Sequence, residues 1–229
     1  GGTASGPVSF LKVYNAGTEA VKQGGRRRGA NMAVLRVDHP DVMAFIMAKG
    51  EPGVLANFNL SLGVTDNFMR KASRREKYSL VNPRTGESTD DIQADEVLHA
   101  AAEQAWRTGD PGLLFLDAIN RGNPTPHLGE MEATNPCGEQ PLLPYECCNL
   151  GSINLVSLVR EGEMDWQRLR ETAGIGIRFL DDVIDVNSYP LPGIEERTKG
   201  NRKVGLGVMG FADALFLLGV PYDSVRAER

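Results

Sequence analysis

Cysteine is scarce in this sequence: there are 3 in 229 residues, and two of them, Cys147 and Cys148, are neighbours. So few thiols exclude a disulfide scaffold, and a bridge between adjacent cysteines would be strained. They fit a reducing compartment, so a cytoplasmic location is expected. Histidine is as rare. His39, His99 and His127 are scattered, and no CxxC pair accompanies them, which excludes a zinc site of ordinary spacing; no metal site is expected. No apolar run nears the length of a membrane span, and the opening GGTASGPVSF is not a secretory signal. Net positive charge is absent too, the formal value being −5. That argues against broad nucleic-acid binding, which needs clustered cations. The basic run from Arg70 to Lys77 has no interleaved aromatics and reads as a solvated helix end. What remains is ordinary globular composition, 41% hydrophobic and 24% charged. It suffices for one substantial core or part of a larger one. The chain opens at GGTASGPVSF and stops at PYDSVRAER, and an internal piece of a longer protein is expected.

Hydrophobic patterning alternates helix and strand without an internal repeat, which indicates an α/β class. Ser5 and Pro7 open a helix that runs to Gly24-Gly25, with Val8, Leu11, Asn15, Thr18 and Val21 at near-helical spacing. Met32–Val37 reads as a strand, Asp38–Ala48 as a helix and Asn57–Val64 as a strand, followed by a helix capped by Thr65. Tyr78–Glu87 reads as a hairpin around Asn82-Pro83-Arg84-Thr85-Gly86. Asp91–Trp106 reads as an amphipathic helix with Val97, Leu98, Ala101, Ala102, Ala105 and Trp106 on one face. Leu113–Leu116 is apolar and of open type, and residues 120–129 form a loop. Asp165 caps a long helix to Asn187 whose stripe is Leu169, Ala173, Ile177, Leu180 and Ile184. A strand over Val204–Val208 and a helix over Phe211–Leu218 follow. Gly205 to Gly210 spell a formal GxGxxG, but the preceding Asn201-Arg202-Lys203 is not the hydrophobic strand a dinucleotide site requires. Close packing of strand on helix is the reading for these glycines.

All three thiols fall within Thr134–Asn154, TNPCGEQPLLPYECCNLGSIN. A polar, charged segment rich in proline and glycine makes a poor core, yet it holds every cysteine. In an extended conformation, Asn135, Cys137 and Glu139 point to the same side. An amide, a thiol and a carboxylate together can hold a polyhydroxy substrate, attack or abstract at one atom, and move a proton nearby. Cys148 follows Cys137 by 11 residues. Farther upstream, Arg26-Arg27-Arg28 is a basic run bounded by glycines. It reads either as a solvated face or as a grip on nucleotide phosphates.

The stretch NPCGEQPLLPYECCNLGSINL resembles the finger loop of the catalytic subunit of ribonucleotide reductases, most nearly the adenosylcobalamin-dependent branch. The likeness extends through GPVSF, QGGRRRGANMAVLRVDHPD, FNLSLGVTD, NRGNPTPHLGE and NRKVGLGVMGFAD. It implies that residues 1–229 are part of a ten-stranded α/β barrel, with residues 130–150 as a central finger loop carrying the radical cysteine. It implies that ribonucleotides, as diphosphates or triphosphates, are reduced to 2′-deoxyribonucleotides. Cys137 would be the thiyl, with Asn135 and Glu139 beside it, and Asn135, Pro136, Cys137, Gly138 and Glu139 would contact the substrate. Cys148 would be one half of a reducing dithiol, while Cys147 matches no family role. Gln23 to Asn31, with Gln23, Arg26, Arg27 and Arg28, would be the loop that links an effector to the choice of base. The implied cofactor is adenosylcobalamin. The implied partners are deoxynucleotide or ATP effectors, a thioredoxin-like reductant and a second copy of the full-length enzyme. Two alternatives stay open: a large subunit driven by a radical in a second protein, and a nucleotide-binding piece without turnover.

Overall fold

The computed structural model describes residues 5–21 and 29–228. The chain divides into two compact units, Gly1–Pro144 and Tyr145–Arg229. In the first, the order is α1 (Pro7–Ala20), β1 (Asn31–Arg36), α2 (Val42–Ile46), β2 (Phe58–Val64), α3 (Asp66–Arg74), β3 (Lys77–Val81) and β4 (Ser88–Gln93). Then come α4 (Ala94–Thr108), β5 (Gly112–Phe115), α5 (Leu116–Arg121), β6 (Ala133–Thr134) and β7 (Pro141–Leu142). The second unit holds β8 (Asn149–Asn154), β9 (Val159–Arg160), β10 (Glu163–Met164), α6 (Trp166–Val186), α7 (Pro192–Asn201), β11 (Val204–Met209), α8 (Phe211–Leu217) and α9 (Val225–Glu228).

Three strands of the first unit form a parallel sheet in the order β1-β2-β5, with Asn31 opposite Phe58 and Ser61 opposite Gly112. Parallel neighbours require crossovers, and α2 and α4 lie on those connections. β2 is buried at every position but Asn59. Its Leu60, Leu62 and Val64 pack with Phe45, Ile46, Phe68 and Val97 from α2, α3 and α4 in one core. In the second unit β8 and β11 are parallel partners, Asn149 opposite Val204. There the buried cluster is Ile153, Leu155, Leu158 and Ala214, with Leu169, Ala173 and Leu206 against it. The described residues thus have mixed α/β content with parallel pairing, and no closed barrel is formed among them.

The caps behave as their side chains dictate. Thr65 Oγ1 accepts from the Phe68 N–H at 3.1 Å, and Asp165 Oδ1 from the Arg168 N–H at 2.9 Å. Other boundaries differ from expectation. The helix expected over Asp38–Ala48 is α-helical only at Val42–Ile46, after a turn in which the Asp41 N–H donates to His39 Nδ1. The helix expected from Asp91 starts at Ala94, because Ser88–Gln93 pair with β3 instead, Lys77 opposite Gln93. Trp106 was assigned to the buried face of α4 and is 86% exposed; that face is Ala94, Val97, Ala101 and Gln104. In α6, Leu180 and Ile184 are buried as expected, but Ile177 is 46% exposed. The close approach of helix to strand is made from the helix side. A Cβ at Gly176 of α6 would stand 3.2 Å from the Leu206 side chain of β11.

Candidate active site

The segment Thr134–Gln140 folds back on itself. β6 and β7 pair antiparallel, Thr134 opposite Pro141, and the link between them is a tight turn. Pro136 sets its own φ, and Gly138 sits at φ +86°, a region open to glycine and costly for other residues. The Gly138 N–H donates to the Asn135 carbonyl at 3.0 Å, and the Asn135 N–H to the Gln140 carbonyl at 3.2 Å. This corrects the extended geometry expected for Asn135, Cys137 and Glu139. Their proximity comes from one turn, not from alternation along a strand.

Within that turn the residues are unequal. Asn135 is half-buried, and its Oδ1 accepts from the Gln140 N–H at 3.0 Å, so its carbonyl end is engaged inside the loop. Cys137 and Glu139 are exposed. A Cβ added at Gly138 would meet nothing within 4 Å, so the turn stands in open space. One long-range bond ties the turn to the sheet: Asn59 Nδ2, on the only exposed position of β2, donates to the Pro136 carbonyl.

Beside the turn lies an open groove of about 600 Å³. Leu11, Tyr14 and Thr18 of α1 form one wall, and Asn31 to Val34 of β1 with Phe58 form another. Ala30, Thr134 and Pro136 complete it. Asn31 is held in place by its Nδ2, which donates to Thr18 Oγ1 at 2.8 Å. Gln23, Arg26, Arg27 and Arg28 lie outside the described residues. The end of the same stretch, Ala30 and Asn31, does line the groove.

Cys147 and Cys148 belong to the second unit, just before β8. Neither is disulfide-bonded, nor is Cys137. Cys147 Sγ lies 3.0 Å from Thr198 Oγ1 of α7. Glu146 carries a side chain with no exposed surface, and its Oε2 accepts from Lys203 Nζ at 2.6 Å. Asn201 Nδ2 donates to the other carboxylate oxygen. Glu146, Asn201 and Lys203 stand within stretches that carry the family resemblance but have no role in the sequence reading, and Thr198 stands in none of those stretches; Thr198, Asn201 and Lys203 lie more than 50 residues from their partners in the cysteine segment. Among the described residues no three His, Cys, Asp or Glu gather as a metal site.

Comparison with known proteins gives a consistent result. Residues 1–229 match the family model for the ribonucleotide reductase barrel domain. The vitamin B12-dependent ribonucleoside-diphosphate reductase of Mycobacterium tuberculosis strain H37Rv is 57% identical over 100% of this chain and 33% of its own length. The protein of that name from Thermoplasma acidophilum is 56% identical over 99% of the chain and 30% of its own length. The ribonucleoside-diphosphate reductase large subunit of Monkeypox virus is 30% identical over 99% of the chain and 34% of its own length. The chain therefore spans about a third of the length of these relatives.

Proposed function

As this chain belongs to the ribonucleotide reductase barrel-domain family, we propose that it carries the radical chemistry of a ribonucleotide reductase acting on ribonucleoside diphosphates. In this reading the two units are parts of a ten-stranded α/β barrel, and residues 130–150 are its central finger loop. The observation that carries the reading is the shared groove. Ala30 and Asn31, which end the effector-linked stretch, line the same space as Thr134 and Pro136, which open the cysteine turn. Choice of base and attack on the sugar then meet at one substrate.

The roles follow from the chemistry of the side chains. Cys137, as a thiyl, takes the 3′-hydrogen; S–H and activated C–H bonds are close in strength, so the hydrogen can be returned at the end. Glu139 accepts the 3′-hydroxyl proton and so helps the 2′-hydroxyl leave as water. Asn135 holds the sugar hydroxyls with its amide NH₂ group, because its carbonyl end serves the loop. Cys148 and a cysteine outside this chain deliver two electrons and end as a disulfide. Overall, one C–O and two S–H bonds break, and one C–H, one O–H and one S–S bond form. A thioredoxin-like dithiol then resets the pair. Effector nucleotides bound by a homodimer of the full-length enzyme act through Gln23 to Asn31.

Adenosylcobalamin is the cofactor this reading requires, and the exposed Cys137 beside the open space at Gly138 fits its approach. What it supplies when bound is the one-electron oxidation of a thiol that opens the cycle. The chain's part is to present that thiol and to keep Glu139 on the same turn.

The test uses the full-length enzyme with adenosylcobalamin, measuring deoxynucleotide and free base. Cys137→Ser is expected to yield neither. Cys148→Ser is expected to start at the 3′-hydrogen and miscarry, releasing base from a damaged nucleotide. Deoxynucleotide made by Cys137→Ser would end the radical assignment.

A further inference from the structure

Cys148 sits in a segment whose neighbours are each tied to a different part of the second unit. Two residues before it, the Glu146 carboxylate is fully enclosed between Lys203 Nζ, at 2.6 Å, and the Asn201 amide. One residue before it, Cys147 Sγ meets Thr198 Oγ1, itself buried, at 3.0 Å. One residue after it, Asn149 begins the pairing with Val204 and sends Nδ2 to the Leu180 carbonyl of α6 at 2.8 Å. Thr198, Asn201 and Lys203 come from one short stretch, the end of α7 and its exit into β11.

That stretch is itself held rigidly. Arg202 adopts a left-handed φ of +49°, its N–H donates to the Thr198 carbonyl at 2.8 Å, and its guanidinium holds Asp181 and Asp185 of α6 at 2.8 and 2.9 Å. On the other side Tyr145 also has a left-handed φ, +62°, just before Glu146. Both arms of the ion pair are thus launched from residues in a conformation that L side chains rarely adopt. Arg202 takes it as the C-cap of α7, as Arg75 does for α3; Tyr145 ends no helix, and such an outlier persists only where its surroundings over-determine it. A buried ion pair is in addition a poor device for stability alone, since apolar replacements of similar volume commonly match or exceed it.

We infer that the Glu146–Lys203 pair, with Asn201 and Thr198, forms a clamp that positions Cys148 for the reducing step. It rests on the reading of Cys148 as half of the reducing dithiol. Glu146 and Lys203 are positioning residues; Glu146 acts through the two residues of backbone that lead to the thiol, and Lys203 acts through its ion pair with Glu146. The clamp leaves the hydrogen-abstracting turn untouched, so its loss separates the two halves of the reaction. The 3′-hydrogen is still taken, but the radical is not met by a dithiol in time.

The experiment uses the full-length enzyme, pre-reduced, with adenosylcobalamin and a ribonucleoside diphosphate but no external reductant. The main variant is Glu146→Met with Lys203→Met, which removes both charges and keeps the space filled. Its deoxynucleotide yield in one turnover is expected to fall about 100-fold, the scale of a misplaced reacting group. Free base is expected to rise to the level of Cys148→Ser. Without cofactor or substrate, iodoacetamide should label Cys148 faster than in the parent while Cys137 labels at the parental rate. A folded double variant with parental yield and parental Cys148 labelling overturns the clamp. Should the double variant not fold, Asn201→Leu, which keeps the ion pair, decides: raised base release supports the clamp, and a parental ratio of base to deoxynucleotide overturns it. Cys148→Ser separates the two failures. If it still gives a full yield, the dithiol reading falls and the clamp with it. If it is dead while the Met pair is normal, the clamp alone falls.

Discussion

The turn that bears Cys137 and the segment that bears Cys148 are held by opposite means. Around Cys137 almost every bond is local: Asn135 to Gly138, Asn135 to Gln140, Thr134 Oγ1 to the Asn135 carbonyl. The thiol ends up exposed on a tip that carries its own shape. Around Cys148 the bonds of Glu146 and Cys147 reach across more than 50 residues and that of Asn149 across 31, and a charged pair is enclosed among them. In the proposed role, Cys137 must meet both the substrate and the radical initiator, which needs access, and a self-supporting turn gives it. In the proposed role, Cys148 must stand at one distance from a second thiol, which needs a fixed backbone, and remote anchors give that. The cores differ in extent. The first unit encloses a broad sheet-and-helix core, whereas the second buries four residues as a cluster.

Adding one methyl group to a glycine in each region sharpens the contrast. Gly210 follows β11 and caps α8 at φ +71°, and a Cβ there would meet Asn154 Oδ1 at 2.8 Å and Val156 Cγ2 at 3.0 Å. Strain and overpacking act together, so Gly210→Ala should weaken the β8–β11 pair by about 3 kcal/mol. Gly138 has a similar φ, +86°, but open space, so Gly138→Ala should cost only the backbone term, about 1 kcal/mol. Site-resolved amide exchange in the full-length protein measures both. Equal losses at the two glycines would mean that the turn is packed as tightly as the strand end.

Asn135→Ala tests how far the turn supports itself. It removes the Oδ1 acceptor of the Gln140 N–H and should raise the exchange rate of that amide by about 1 kcal/mol of opening free energy. The β8 amides should be unmoved. A loss of turnover larger than the loosening explains would mark the amide as a contact of the sugar as well.

Much of the contrast was visible in the residues, and what was missed has a physical reason. Pro136 announces a turn through its fixed φ and Gly138 through its freedom at positive φ, and the helix caps Thr65 and Asp165 act through bonds three residues away. These are local effects, so local reading finds them. The geometry of the turn was misjudged because alternation assumes an extended chain, whereas a proline followed two residues later by a glycine at positive φ closes one instead. Ser88–Gln93 went to a helix in part because Asp91 is a good helix opener; pairing with Lys77–Val81 outweighs that propensity. The Glu146 clamp left no local trace. A glutamate beside two cysteines looks like any surface acid until Asn201 and Lys203 are brought to it by the parallel β8–β11 register.

The smallest expected effect is at Cys147, and it decides whether the anchors of Cys148 act by shape or by bonding. The two cysteines precede β8, so strand alternation does not govern where their side chains go. What holds Cys147 is its contact with Thr198, where either atom can donate. Cys147→Ser keeps a donor and acceptor at nearly the same place and should change the exchange of the Asn149–Asn154 amides by less than about 0.5 kcal/mol. Cys147→Val keeps the bulk but removes the partner of a buried hydroxyl, and should cost about 1 kcal/mol. Product yield should follow the same order, Ser near the parent and Val below it, with free base rising only for Val. If Ser and Val behave alike, the contact is packing and the clamp consists of the ion pair and the Asn201 amide alone. If Ser is the worse of the two, the hydroxyl is not held where the sulfur is, and the thiol itself does more at this position than hold the loop.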